Sequence, residues 1–186
     1  PPRSTLFPYT TLFRSFIKPA NNGSSLGISK IRSYDEFEKG IMEAFEHDKK
    51  VVLEAMVEGF EIGCAVVGND KLTIGEVDEI ETKNDFFDYV EKYTQHNSKI
   101  HCPARIDVEM QKRAKEIAIR VYKALNCSGL ARIDMFFTTN NEIILNEVNT
   151  IPGLTDVSRY PSMLKKIGIE YTDLIVKLVD LAMEQG

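Results

Sequence analysis

The stretch that most restricts the fold is a hairpin. Residues 131–137 (ARIDMFF), the polar group Thr138-Thr139-Asn140-Asn141 and residues 142–153 (EIILNEVNTIPG) read as two β-strands joined by a turn. Strand side chains alternate, so Arg132 and Asp134 share a face, as do Glu147 and Asn149. A turn with an even number of residues, Asn140-Asn141 or all of 138–141, pairs odd positions with even ones and brings the four polar groups together. One reading of that face is a solvated surface with a cross-strand pair of arginine and acid. The other is a partly buried site, because alternation also puts Ile143 and Leu145 on the face of Glu147, and a buried acid requires a partner. Two carboxylates and an amide suit Mg²⁺, a hard ion that takes one or two carboxylates and completes its shell with substrate phosphates. The hairpin therefore points to phosphate chemistry.

At 186 residues the chain can form one domain or two small lobes. Its first fifteen residues, PPRSTLFPYTTLFRS, match residue for residue an in-frame translation of a common short-read sequencing adapter. Residues 1–15 are set aside as non-native, and the native reading starts near Phe16. Arg3 and Arg14 go with them, leaving 21 of the 23 basic residues against 28 acids. So acidic a chain is a poor partner for nucleic acid. Cys64, Cys102 and Cys127 are odd in number and, even with His47, His96 and His101, lack metal-ligand spacing. A reducing, cytoplasmic compartment fits them. No apolar run reaches membrane-spanning length, so no membrane partner is expected.

Along the chain, Phe16-Ile17-Lys18-Pro19 ends a strand and leads into Ala20–Gly27, a small polar loop with two glycines. Such a loop exposes backbone N–H groups to an anion, and Lys18 beside it makes a phosphate-binding combination; the competing reading is an ordinary connector. Ser33-x-x-Glu36 is a capping box that starts a helix whose Phe37, Ile41, Met42 and Phe45 are expected in the core. Strands follow over 51–67, with Glu54 among apolar neighbours, and again over 72–77. Periodicity fails from Asp78 to Pro103, which reads as a long lid loop dotted with aromatics. Asp107 caps a further helix, and two more follow Gly153, around Pro161–Ile167 and after Thr172. Strands covered by a few helices make an α+β domain with a mainly antiparallel sheet.

At Lys18-Pro19 with residues 22–27 (NGSSLG), at Glu54 to Glu61, at Glu91-Lys92-Tyr93 and at Gly129 to Ser158, the chain resembles the D-alanine-D-alanine ligase family of the ATP-grasp superfamily. The likeness covers essentially all of 16–186, and its most specific piece is NEVNTIPG at 146–153. Other ATP-grasp enzymes, such as biotin carboxylase, tend to place Asn-x-Arg after the acid. The resemblance implies an α+β ATP-grasp fold, with a partial central subdomain over 16–70, a C-terminal catalytic subdomain over 71–186, and the N-terminal domain missing.

Carried over residue by residue, the resemblance implies that Lys18 holds ATP phosphates while Gly23, Ser24 and Ser25 cover the reacting carboxylate. Glu54, Met56, Val57 and Glu61 match the hinge and adenosine site, with Glu61 at the ribose. Lys92 and Tyr93 fall on a closing loop, Lys92 toward the γ-phosphate. Asp134, Glu147 and Asn149 match ligands of two Mg²⁺ ions, for which Mn²⁺ substitutes. Arg132, the Gly153 amide and Ser158 match groups around the reacting substrates. The implied reaction joins D-alanine to a second D-amino acid through an acyl phosphate, making a peptidoglycan-precursor dipeptide, in an enzyme that is a homodimer when intact. Arg159 stands where D-Ala-D-Ala ligases usually carry an aliphatic residue and where vancomycin-resistance D-Ala-D-Ser ligases resemble this chain, so D-serine is expected over D-alanine as second substrate. The competing reading of Arg159 is a surface pair with Asp156. The missing domain grips the first D-alanine, so the chain as written is expected to lack turnover. The competing class for the whole is a non-catalytic ATP-binding ATP-grasp module.

Overall fold

The computed structural model describes residues 15–21, 26–82 and 98–184. They fall into two compact units, one running to Val57 and the other starting at Glu58.

In the first unit β1 (Ser15–Pro19) lies between β2 (Ser29–Ile31) and β3 (Val51–Ala55), antiparallel to both. Helix α1 (Tyr34–His47) starts where the sequence says it should: the Ser33 hydroxyl accepts the Glu36 N–H, and the Glu36 carboxylate accepts the Arg32 N–H. Its buried face differs from the expected one. Phe37, Gly40, Ile41 and Ala44 face Ile17 and Ile31, whereas Met42 and Phe45 are exposed. Gly40 explains the rotation, since a Cβ there would stand 3.0 Å from the Ser29 Cβ and 3.1 Å from the Ile31 Cδ1. The helix turns its small residues inward and so approaches the sheet closely.

The second unit is a five-stranded sheet in the order β6-β5-β4-β7-β8, comprising β4 (Gly59–Val67), β5 (Thr73–Thr82), β6 (Ser98–His101), β7 (Leu130–Thr138) and β8 (Ile143–Asn149). On one face Ile62, Cys64, Val66, Ile133 and Met135 pack under Ala114, Ala118 and Tyr122 of α2 (Val108–Ala124), whose first turn is capped by Asp107. On the other, Ala65 and Val67 pack under Tyr160, Met163 and Leu164 of α3 (Arg159–Lys165) and Leu174 and Leu181 of α4 (Tyr171–Met183). The Tyr122 hydroxyl donates to the Gly68 carbonyl and the Tyr160 hydroxyl to the Val66 carbonyl, so the end of β4 is held from both sides. Residue 172 lies inside α4, and Glu170 occupies the N-cap expected at Thr172.

One further expectation changes. Asp78–Pro103 is not one long loop, because β5 runs on to Thr82 and β6 occupies Ser98–His101. The strand was masked by Asp78 and Glu79, two acids buried side by side between Val77 and Ile80, which break any apolar periodicity. The two compact units meet at Val57/Glu58, inside the stretch 16–70 that the resemblance assigns to the central subdomain. Strand β4 pairs with both β5 and β7, so the connection after it is internal to one sheet.

Candidate functional site

The turn of the β7–β8 hairpin does not have the even count that the sequence reading asked for. The Thr138 N–H donates to the Glu142 carbonyl at 2.9 Å and the Asn141 N–H to the Thr138 carbonyl at 3.0 Å. This closes a loop of 139–141 with Asn141 at φ 60°, a left-handed conformation that asparagine tolerates. Phe137 then faces Ile143, and Met135 faces Leu145. Continued regularly, that register would aim Glu147 into the core beside Met135. A β-bulge prevents it: after the Met135–Leu145 pair, Asn146 is passed over and Asp134 stands opposite Glu147, then Arg132 opposite Asn149. The four polar groups do converge, but through the bulge and not through the turn. Ile143 and Leu145, expected beside Glu147, pair with residues of the opposite, apolar face.

Asp134 is 1% exposed and densely bonded. Arg132 donates to it through Nε at 2.8 Å and Nη2 at 2.7 Å, and the Asn149 amide nitrogen reaches its Oδ2 at 2.7 Å and the Glu147 Oε1 at 3.2 Å. Among the described residues the buried acids are Asp78, Glu79 and Asp134, and each carries an arginine: Arg159, Arg105 and Arg132 in that order. This is the partner that burial demands. Burial works against ionisation of Glu79, but hydrogen bonds and charge from Arg105 hold its carboxyl below the usual range.

Arg159 is not at the surface with Asp156. It is largely buried at the start of α3, donating through Nε and Nη2 to both oxygens of Asp78 at 2.8 and 2.7 Å and through Nη1 to Glu61 at 3.0 Å. Its Nη1 also lies 3.7 Å from the Asp134 Oδ1. Burial opposes the guanidinium charge, yet Asp78, Asp134 and Glu61 hold its pKa well above the ordinary value. The space comes from Gly63, which stands between Asp78 and Asp134 in register. Neither Asp78 nor Gly63 stands out in the sequence, where Asp78 opens the stretch in which periodicity fails. The available signal was an acid pair lodged between Val77 and Ile80.

Elsewhere, Gly153 and Ser158 come together: a Cβ on Gly153 would stand 3.1 Å from the Ser158 Oγ, which itself accepts the Thr155 N–H at 3.1 Å. In the first unit the Lys18 ammonium pairs with Glu54 at 2.7 Å, and Met56 and Val57 are half-buried beyond β3. Glu54 is exposed there and not enclosed by its apolar neighbours. Gly23, Ser24, Ser25, Lys92 and Tyr93 lie outside the described residues.

Among the described residues no group of three or more His, Cys, Asp or Glu is placed to hold a metal. The set at the hairpin is two carboxylates and one amide. That composition fits a hard divalent cation that shares its shell with phosphate oxygens, and does not fit a closed protein cage. No helix among the described residues is long and apolar enough to cross a membrane.

The chain is similar to known proteins over most of its length. Residues 9–180 match the family model described as D-ala D-ala ligase C-terminus. A D-alanine–D-alanine ligase of Shouchella clausii is 46% identical over 171 residues, which are 91% of this chain and 46% of that protein. The D-alanine–D-alanine ligase A of Escherichia coli K12 is 43% identical over 91% of this chain and 47% of its own length. Among solved structures, the VanG D-Ala:D-Ser ligase of Enterococcus faecalis superposes with a TM-score of 0.83 at 53% identity, over 91% of this chain and 49% of that one. The chain spans about half the length of the relatives it matches.

Proposed function

Because the chain belongs to the D-alanine–D-alanine ligase family and has its ATP-grasp fold, we propose that it is the ATP-using part of a ligase that joins D-alanine to a second D-amino acid. The observation that carries this is the pairing of Asp134 with Glu147 across β7 and β8, with Asn149 bonded to both. These three would hold Mg²⁺, which when bound neutralises charge on the transferring phosphoryl group. Everything else is positioning by the chain's own groups. Lys18 binds phosphate oxygens, and Glu61 accepts hydrogen bonds from the ribose. Arg132 steers Asp134 with Nε and Nη2, leaving Nη1 as the nitrogen not engaged by that acid. With the Gly153 N–H, Nη1 would receive the oxyanion formed when the second amine attacks the acyl phosphate. Ser158, adjacent to Gly153, orients the same substrate.

Calorimetry on the 186-residue chain tests the metal reading. ATP affinity should depend on Mg²⁺ and fall strongly in Glu147→Gln; equal affinity with and without Mg²⁺ would defeat it. For the second substrate we propose D-serine, on the 53% identity to a D-Ala:D-Ser ligase against 43–46% for the D-alanine ligases compared above. In an enzyme completed with a family N-terminal domain, competition between the two amino acids should yield mainly D-Ala-D-Ser, and mainly D-Ala-D-Ala would refute the assignment.

A further inference from the structure

Asp78, Gly63, Asp134 and Glu147 stand side by side across β5, β4, β7 and β8, with Glu61 two residues before Gly63 on the same strand face. Carboxylates this close disfavour one another's ionised forms unless a cation lies among them. The cation is Arg159, and the slot it occupies is made by the missing side chain of Gly63: a Cβ there would stand 2.5 Å from the Arg159 Nη2 and 2.7 Å from the Asp78 Oδ1. Asp78 takes the guanidinium in a two-bonded fork, which fixes its plane. Once that plane is fixed, Nη1 falls between two acids, 3.0 Å from Glu61 and 3.7 Å from Asp134. A lysine has one point charge and no such fork, so it cannot satisfy Asp78 and reach both acids together.

We propose that Arg159, locked by Asp78 in the slot left by Gly63, is a positioning residue that sets the carboxylates of Asp134 and Glu61 for metal and for ribose. The inference rests on the reading of those two acids given above and adds three further residues to it. Asp78 is the anchor, Gly63 the clearance and Arg159 the link. Losing such a partner typically lowers metal affinity about 10- to 100-fold.

The test measures two properties in the 186-residue chain: Mn²⁺ affinity with ADP present, followed by the electron paramagnetic resonance of free Mn²⁺, and the affinity ratio of ADP to 2′-deoxy-ADP. Gly63→Ala, Asp78→Asn and Arg159→Lys, checked for folding by circular dichroism, should each weaken Mn²⁺ binding at least about tenfold and bring the nucleotide ratio toward one. A residue with only a structural role would lower the melting temperature and leave the ratio alone. Folded variants with wild-type values for both properties would overturn the inference. Without any variant, the Arg159 Nε–H resonance of the wild-type chain should move when Mg²⁺ and ADP are added, and a stationary signal would overturn it equally. Asp134→Asn and Glu61→Gln serve as references. If these two leave Mn²⁺ binding and the ratio unchanged, the underlying reading fails; if they act and the Arg159 set does not, only the positioning role fails.

Discussion

The two faces of the β4–β7 pair are made from alternate residues of the same two strands, yet they solve opposite problems. Toward α2 stand Ile62, Cys64, Ile133 and Met135, and packing with α2 is sufficient to hold them. Toward α3 and α4 the strands present Ala65 and Val67 at one end, under apolar helices, Gly63 and Asp134 at the other, and Arg132 opposite Ala65 between them. On the first face burial is favourable by itself. On the second, each buried charge had to be matched by an opposite one with hydrogen-bond geometry, because an unpaired buried charge costs several kcal/mol. The site thus sits where the helical cover gives way to ion pairs. Arg159, at the first turn of α3, marks the transition.

The largest effect should come from exchanging the two kinds of environment at neighbouring positions. Met135→Asp puts a carboxylate among the apolar Ile62, Ile133 and Ala118, and the chain is expected to lose its cooperative thermal transition. Asp134→Asn, one residue away, should keep a cooperative transition while abolishing metal-dependent nucleotide binding. Circular dichroism melts of both variants check the contrast. If Met135→Asp melted cooperatively near the wild type, the division between the faces would be wrong.

The sequence made one face readable and hid much of the other. The hairpin, its four polar residues and the Asp107-capped helix were legible because alternation and capping are local properties. Two features were not. The bulge at Asn146 leaves no compositional trace, and it cancels an error in the count of turn residues, so the convergence of Asp134 with Glu147 was expected for a reason the structure replaces. The Asp78–Arg159 pair joins residues 81 positions apart. Adjacent acids read as solvent-facing until the arginine that neutralises them is known. The same holds for Glu79 and Arg105. In α1, hydrophobicity alone puts Met42 and Phe45 in the core, whereas the close approach that Gly40 permits leaves both exposed.

A smaller effect separates the two helical covers. Tyr122 and Tyr160 each donate one buried hydroxyl hydrogen bond to the end of β4, from opposite faces, at 2.7 and 2.9 Å. Each Tyr→Phe change should cost about 1 kcal/mol, measured as a shift in the denaturant midpoint at constant slope. The two carbonyls belong to Gly68 and Val66 and are approached by different helices, so the double variant should lose close to the sum of the single losses. A large departure from additivity would show that the two faces are coupled through β4.

The smallest expected effect is also the sharpest test of how the polar face is built. If the bulge serves only to return Glu147 to the face of Asp134, then Asn146 is a spacer. Deleting it leaves Leu145 opposite Met135 and makes Glu147 the next residue, which simple alternation then directs toward Asp134. Val148 and Asn149 keep their partners Ile133 and Arg132 by the same count. The deleted chain should therefore retain Mg²⁺-dependent ATP binding close to the wild type, despite losing a residue between two site residues. A bulge also bends its strand and increases the local twist, and those are the properties the deletion removes. Calorimetry on the Asn146 deletion decides between the two roles. Binding reduced as far as in Glu147→Gln would mean that the twist, and not the residue count, aims the acid.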